Sequence, residues 1–220
     1  MIKITNIKKK YGNTEVLKGI SLSINNGDFV SIIGKSGSGK TTLLKVIGLL
    51  EDFDGLYELN GLMVEKGKSG KITEIRKNNF GYVYQSYFLD GHYSVFENIE
   101  MPLLIRNISK KEREKRIKNI SEKMGIMDKL YTKASKLSGG EQQRVAIARA
   151  LVADANIILA DEPCGALDSI NSKNILDILV QLNNEGKTIV LVTHDMEQAK
   201  LAKKIYTISD GKIINEKMSD

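Results

Sequence analysis

Gly34-Lys35-Ser36-Gly37-Ser38-Gly39-Lys40-Thr41 is the most informative stretch of this sequence, because it matches the phosphate-binding pattern G-x-x-x-x-G-K-[ST]. Its glycines allow backbone N–H groups to converge on phosphate oxygens, and a following helix adds about half a positive charge at its N-terminus. We expect Lys40 to reach the β- and γ-phosphates and the Thr41 hydroxyl to bind Mg²⁺. The apolar run Phe29–Ile33 before the loop predicts a buried strand, and residues 40–50 predict a helix. The stretch therefore predicts a nucleotide site in an α/β fold.

Two adjacent carboxylates follow a second apolar strand, which we predict over residues 157–160. Asp161 and Glu162 would be costly at the end of a buried strand unless a cation lay beside them. Because successive strand residues point in opposite directions, the two carboxylates should have different roles. Asp161 is the candidate for the Mg²⁺ shell, and Glu162 is the candidate for polarising the attacking water.

A third signal is Leu137-Ser138-Gly139-Gly140-Glu141-Gln142, in which Ser138 and Glu141 have the spacing of a capping box. The pattern predicts a helix start with exposed N–H groups, which is either an ordinary capped helix or a second anion site. The chain has a single phosphate-binding loop, so a second anion site would belong to a nucleotide shared with another subunit.

The remaining pattern indicates a mixed α/β core, an antiparallel N-terminal portion and a helical insertion. We predict an edge strand at Ile2, Ile4 and Ile7, and further strands over 16–24, 57–64, Phe80–Tyr84 and Thr188–Thr193. We predict helices within 95–153, with a Ser109/Glu112 capping box and a helix end at Gly125, and another helix over 170–182. Residues 66–71 are predicted to form an exposed loop, and the chain is predicted to close with a hairpin that turns at Asp210-Gly211.

Composition excludes several classes of protein. The 220 residues carry a formal charge of +6 and one cysteine, Cys164, so an internal disulfide or a cysteine-based zinc site is excluded. No stretch approaches the roughly 20 apolar residues of a membrane helix, and the basic N-terminus lacks the apolar core of a signal peptide. We therefore expect a cytoplasmic protein. The basic runs 8–10 and 110–118 are interpreted as solvated faces, and no nucleic-acid partner is expected.

The phosphate loop, Asp161-Glu162 and above all Leu-Ser-Gly-Gly-Glu-Gln together resemble the ATP-binding cassette of ABC transporters, in the order of that family and over essentially the whole chain. The resemblance implies a P-loop ATPase with a mixed β core, an antiparallel N-terminal β subdomain and an inserted helical subdomain over about residues 88–153, in a single domain spanning 1–220. It also implies ATP and Mg²⁺ as cofactors.

The resemblance assigns further site residues. Tyr11 is similar to the aromatic residue that stacks on adenine, and Val16 would pack beside it. Gln85 is similar to the glutamine that contacts Mg²⁺ and water, and Asp168 is similar to the aspartate of the loop that crosses between cassettes. His194 is similar to the histidine that contacts the γ-phosphate. The implied catalytic residues are Glu162, His194 and Gln85, and the metal ligands are Thr41, Gln85 and Asp161. The implied nucleotide contacts are Tyr11, Val16, Gly34, Lys35, Ser36, Gly37, Ser38, Gly39, Lys40, Thr41 and Thr42, with Ser138, Gly139, Gly140, Glu141 and Asp168.

The implied function is that of an ATP-hydrolysing subunit, attached to the inner face of the membrane through a separate permease and closing head to tail with a second, identical cassette on two ATP molecules. Short runs such as Leu159-Ala160-Asp161-Glu162-Pro163 resemble the macrolide-exporter, lipoprotein-release and bacteriocin-export group, which exports or extracts peptides, lipoproteins and antibiotics. Alternatives are a cassette that powers a signalling membrane complex and a soluble cassette ATPase that acts on DNA or the ribosome. Cys164, where that family has Thr or Ser, and the divergent segment 89–93 are departures from the pattern.

Overall fold

The structure, a computed structural model, describes residues 1–65 and 67–218. Two short 3₁₀ turns lie at Met127–Lys129 and Ala134–Lys136. In chain order the other elements are β1 (Ile2–Tyr11), β2 (Thr14–Ile24), β3 (Phe29–Ile33), α1 (Lys40–Ile47), β4 (Asp54–Leu59), β5 (Leu62–Met63), α2 (Ser69–Asn79), β6 (Phe80–Tyr84), α3 (Val95–Ile105), α4 (Lys110–Lys123), α5 (Gly139–Leu151), β7 (Ile157–Asp161), α6 (Ser169–Asn184), β8 (Thr188–Thr193), α7 (Met196–Ala199), β9 (Lys204–Ser209) and β10 (Lys212–Met218).

The described residues divide into two compact units. The first contains Met1–Lys77, Leu159–Glu162 and the chain from Leu179 onward, and the second contains Asn78–Ile158 and Pro163–Ile178. All residues of the predicted helical subdomain, 88–153, belong to the second unit. Among the described residues, no helix has the length and apolar character needed to cross a membrane.

The first unit contains an antiparallel sheet with strand order β2-β1-β4-β5. The prediction that Ile2, Ile4 and Ile7 belong to an edge strand is wrong, because β1 pairs with β2 on one side and with β4 on the other. All three isoleucines are buried. Alternation reports which face of a strand is covered, but it does not report how many neighbours the strand has.

The predicted single strand over 57–64 is also wrong, because the chain turns within it. Asn60 and Gly61 both have positive φ, 52° and 81°, and Leu59 pairs with Leu62 across the turn. Asn-Gly is the strongest short hairpin signal, so the two strands β4 and β5 could have been separated from the sequence.

A second sheet in the first unit has the order β10-β9-β3-β8, and β7 follows with its residues Leu159–Asp161. β3 pairs in parallel with both β8 and β9, while β9 and β10 form the predicted hairpin, turning at Asp210-Gly211. All six residues of β8 are buried, as expected for a central strand covered on both faces. The carboxyl ends of β3, β7 and β8 meet at one edge, where α/β proteins place their ligands.

Several element boundaries differ from the predictions, and α6 runs over Ser169–Asn184 where a helix over 170–182 was predicted. α1 ends at Ile47, three residues before the predicted end, because Gly48 caps it and Leu49 takes a φ of 59° that no helix continues. The predicted loop over 66–71 is wrong from Ser69 onward, since α2 begins there. Lys66 itself lies outside the described residues.

In the second unit, α5 packs against β6, α3 and α4. The predicted Ser109/Glu112 capping box is wrong: Ser109 occupies the N-cap position without a side-chain hydrogen bond, and Glu112 instead accepts from Arg116 Nε at 2.8 Å. Gly125, with a φ of 63°, follows the end of α4, as predicted. α3 has a capping box that the sequence interpretation missed, between Ser94 and Glu97.

Candidate functional site

The loop between β3 and α1 requires glycine at two positions. A Cβ at Gly34 would lie 2.7 Å from Ser38 Oγ and would collide with the Ile208 carbonyl oxygen. Gly39 has a φ of 103°, and a Cβ there would lie 3.2 Å from the Val16 carbonyl oxygen. Val16 therefore lies beside the loop, and the backbone comes as close to its neighbours as only glycine permits.

Lys40 is buried, and its ammonium donates to the carbonyl oxygens of Gly34 at 2.9 Å and Lys35 at 3.0 Å. These carbonyls are neutral, so the positive charge has no carboxylate to balance it within this loop. Ser38 Oγ is buried and has no hydrogen-bond partner among the described residues. A buried ammonium, a buried hydroxyl and the N-terminus of α1 are a donor set that suits phosphate.

Thr41 and Asp161 come together at the carboxyl edge of the sheet. The Thr41 hydroxyl donates to Asp161 Oδ1 at 3.1 Å. Burial raises the pKa of the Asp161 carboxyl, and the neighbouring charge of Glu162 raises it further. The described residues hold no cluster of three or more acidic, histidine or cysteine side chains that could bind a metal. One carboxylate and one hydroxyl suit Mg²⁺, which takes few protein ligands and completes its shell with water and substrate phosphates.

Glu162 and His194 form a second pair. Glu162 Oε2 lies 2.8 Å from His194 Nδ1, and the Glu162 N–H donates to the Val192 carbonyl oxygen at 2.9 Å. Glu162 has a φ of 49°, a left-handed conformation that costs a residue with a side chain about 1–2 kcal/mol. Strain of this kind concentrates at functional sites. Asp161 and Glu162 thus have different partners, Thr41 and His194.

A short turn presents His194 at the end of β8. Thr193 Oγ1 donates to Gln198 Oε1 and accepts from the Asp195 N–H, both at 3.1 Å. Asp195 in turn caps α7 by accepting from the Glu197 N–H at 2.8 Å. Asp195 therefore fixes the backbone that follows His194, and 71% of the His194 side chain stays exposed.

Tyr11 ends β1 and is 44% exposed, so its ring is accessible to a ligand.

The first unit contains most of the residues assigned to the nucleotide. These are Tyr11, Val16, Gly34–Thr42, Asp161, Glu162 and His194.

The second unit holds Gln85, Ser138–Glu141 and Asp168. The Ser138/Glu141 capping box is confirmed: the backbone N–H and the hydroxyl of Ser138 both donate to Glu141 Oε2 at 2.8 Å, and Ser138 accepts from the Glu141 N–H. Asp168 caps α6 by accepting from the Asn171 N–H at 2.8 Å and from its amide at 2.7 Å.

Two residues of the second unit were missed by sequence reasoning. Asn171 lies against Gly140, where a Cβ would be 2.7 Å from Asn171 Cγ. Gln143 is fully buried and donates to the Pro163 carbonyl oxygen at 2.7 Å, which joins α5 to the segment after Glu162. A glutamine on the apolar face of a predicted helix was the available signal for Gln143; Asn171 had none.

Gln85 and Cys164 lie in the same part of the chain. A Cβ at Gly165 would be 2.7 Å from Gln85 Nε2, so Gln85 lies against this backbone. Cys164 is buried, with its Sγ 3.6 Å from the Ser172 carbonyl oxygen.

Comparison with known proteins decides the family. The family model described as "ABC transporter" matches residues 17–165. The chain belongs to the ABC transporter family. It is 43% identical over 217 residues to the lipoprotein-releasing system ATP-binding protein LolD of Aquifex aeolicus, covering 98% of this chain and 97% of LolD. It is 42% identical over 221 residues to the macrolide export ATP-binding/permease protein MacB of Hyphomonas neptunium, covering 98% of this chain but 34% of MacB. The chain thus spans about a third of such fused relatives.

A solved structure confirms the fold class. The post-hydrolysis dimer of the ATP-binding cassette MJ0796, bound to ADP and Pi, matches with a TM-score of 0.91 and 37% identity, covering 100% of this chain and 99% of that chain. The chain is therefore the ATP-binding ATPase cassette of its family, with the mixed and antiparallel sheets that the sequence predicted.

Proposed function

We propose that this cassette closes head to tail with a second, identical cassette on two ATP molecules, and that it drives a separate integral membrane permease for export or extraction of a peptide, lipoprotein or antibiotic. The observation that carries the catalytic part is the pairing, in one unit, of Thr41 with Asp161 and of Glu162 with His194. The first pair would supply the metal-binding groups, and the second would supply the base.

Bound Mg-ATP would supply the phosphoryl group and a metal that neutralises its developing charge. The loop Gly34–Thr42 would hold the phosphates through backbone N–H groups and Lys40. Thr41, Asp161 and Gln85 would be the protein ligands of Mg²⁺. Glu162 would orient water and accept its proton, while His194 would hold the Glu162 carboxylate and contact the γ-phosphate.

The second half-site would come from the partner cassette. Ser138–Glu141 form the capped start of α5, and Asp168 holds the neighbouring start of α6. We propose that these residues complete the nucleotide site of the partner, which makes ATP favour the closed dimer because it contacts both chains only there. MJ0796, the solved relative, is dimeric.

The permease and the cargo are inferred from the relatives. LolD and MacB are named for lipoprotein release and macrolide export, and in MacB the cassette and permease are one protein. We propose a cytoplasmic location at the inner face of the membrane, with the segment 89–93, in which Asp90, His92 and Tyr93 are exposed, facing the permease.

The test is to express tagged Glu162→Gln in the native host, solubilise the membranes gently with Mg-ATP, and identify the co-purifying proteins by mass spectrometry. A stoichiometric permease with several membrane helices supports the proposal, and a partner without cargo movement in reconstituted vesicles would indicate the signalling alternative. Ribosomal proteins or nucleic acid in its place would overturn the transporter assignment. The matched control is the wild-type cassette prepared without nucleotide.

Purified protein tests the catalytic roles directly. Glu162→Gln should hydrolyse ATP about 10²-fold more slowly or worse, as removal of a general base does, while still binding ATP and accumulating as a dimer. Hydrolysis at the wild-type rate in Glu162→Gln would contradict the assignment of Glu162.

A further inference from the structure

A charged cluster of Lys9, Glu51 and Asp52 lies beside Tyr11 in the first unit. Lys9, two residues earlier on β1, is buried with 8% of its side chain exposed. Its ammonium lies 3.0 Å from Glu51 Oε2 and also contacts the Asp52 carboxylate. A buried ammonium is retained where carboxylates compensate its desolvation, so this cluster is costly to disrupt.

The cluster contacts the Tyr11 ring on one face. The Lys9 ammonium is 5.0 Å from the ring centroid, within the range of a cation–π interaction. An adenine can therefore stack only on the opposite face.

The same ammonium links Tyr11 to Glu51. Lys9 lies over the Tyr11 ring and is ion-paired with the Glu51 carboxylate, so Glu51 fixes the cation that contacts the ring. Burial, and after it Glu51, raises the pKa of the Tyr11 hydroxyl, which places this hydroxyl near the carboxylate.

We propose that Lys9 and Glu51 are positioning residues that hold the Tyr11 ring in the orientation in which adenine stacks. The inference rests on the proposed function, in which Tyr11 contacts the base. A tyrosine that is 44% exposed would otherwise lose rotational freedom on binding ATP. Because the cluster fixes the ring before binding, that loss does not weaken the affinity.

The expected effect is confined to ligands that carry a base. Lys9→Met and Glu51→Ala should weaken binding of Mg-ATP by about three- to tenfold, the order expected when one side chain must be ordered on binding. Binding of Mg-tripolyphosphate, which has no base, should not change. In steady-state hydrolysis, KM should rise by the same factor with kcat unchanged. Glu51→Gln, which keeps a side-chain oxygen beside Lys9, should restore most of the affinity.

The experiment measures dissociation constants of Mg-ATP and Mg-tripolyphosphate by calorimetry. Matched controls are Lys10→Met, the exposed neighbour on β1, and Glu58→Ala on β4. Equal weakening of both ligands, or no weakening, would overturn the inference. Glu51 is more exposed than Lys9, so Glu51→Ala keeps the test open if Lys9→Met fails to fold.

Tyr11→Ala separates this inference from the proposed function. If Tyr11→Ala leaves the preference for ATP over tripolyphosphate unchanged, the adenine role of Tyr11 fails and the positioning role fails with it. If Tyr11→Ala lowers that preference but Lys9→Met and Glu51→Ala do not, only the positioning role is overturned. With both roles correct, adding Lys9→Met to Tyr11→Ala causes no further loss.

Discussion

His194 Nδ1 lies 2.8 Å from Glu162 Oε2, although the two residues are 32 positions apart and directly follow different strands, β8 and β7. The contact exists because β7 and β8 are neighbours whose carboxyl ends share one edge of the sheet. It holds the candidate base by a ring nitrogen, and the remainder of the ring stays exposed for a ligand.

His194→Ala should slow ATP hydrolysis by about 10²-fold, because Glu162 would lose the group that orients it. Steady-state phosphate release and ATP binding are the measurements, with His92→Ala as the control. Glu162→Gln combined with His194→Ala should be no slower than Glu162→Gln alone, since the two residues act as a unit. Additive losses would show that His194 acts independently of Glu162.

Glu162 is held in a strained conformation, with a φ of 49°. Glu162→Ala and Glu162→Gly both remove the His194 contact, but only alanine keeps a Cβ in the left-handed region. We expect the glycine variant to have the larger free energy of unfolding, by about 1 kcal/mol, in urea titrations. An alanine variant as stable as the glycine variant would mean that this backbone carries no strain.

Local patterns account for what the sequence predicted well. The strands Phe29–Ile33, Phe80–Tyr84 and Thr188–Thr193 are apolar runs bounded by turn residues, and the structure has them with the predicted ends. The Ser138/Glu141 box was correct and the Ser109/Glu112 box was not, because Arg116 lies one turn after Glu112 and binds its carboxylate. Identical spacing therefore has different outcomes when a cation competes.

Contacts between distant segments could not be predicted. Lys9 and Glu51 are 42 residues apart, and each is an unremarkable charge until β1 and the chain after α1 come together. The same holds for Gly140 and Asn171. The motifs were recognisable because their spacing is local, whereas the groups that position them are recruited by the fold.

Gly140→Ala should destabilise the protein by about 1–3 kcal/mol, because the new Cβ would overlap the Asn171 side chain. Asn171 cannot move freely, since its amide is bound to Asp168 at 2.7 Å. Urea unfolding is the measurement, with Gly70→Ala as the control, because a Cβ at Gly70 meets no atom within 4 Å. Adding Asn171→Ala to Gly140→Ala should recover part of the loss, and strictly additive effects would contradict the predicted overlap.

The Ser138/Glu141 box should make the stability of α5 depend on pH. The backbone N–H of Ser138, and then its hydroxyl, hold the pKa of the Glu141 carboxyl below its ordinary value in the folded protein. A carboxyl whose pKa is lowered by folding stabilises the protein above its unfolded pKa, about 4.3, and loses that contribution as pH falls through the folded pKa. Glu141→Gln should therefore cost about 1 kcal/mol at pH 7, a typical value for a capping interaction, and progressively less below about pH 4.3.

Urea unfolding of wild type and Glu141→Gln at pH 7, 5, 4 and 3.5 measures this difference. Glu114→Gln on α4 is the control for the loss of one negative charge. A difference between wild type and Glu141→Gln that stays constant down to pH 3.5 would show that the carboxylate charge does not stabilise the cap. If the stability difference from wild type shrinks at low pH for Glu141→Gln but not for Glu114→Gln, the effect lies at the start of α5. There the substitution replaces the charged acceptor of the Ser138 N–H and hydroxyl with a neutral one.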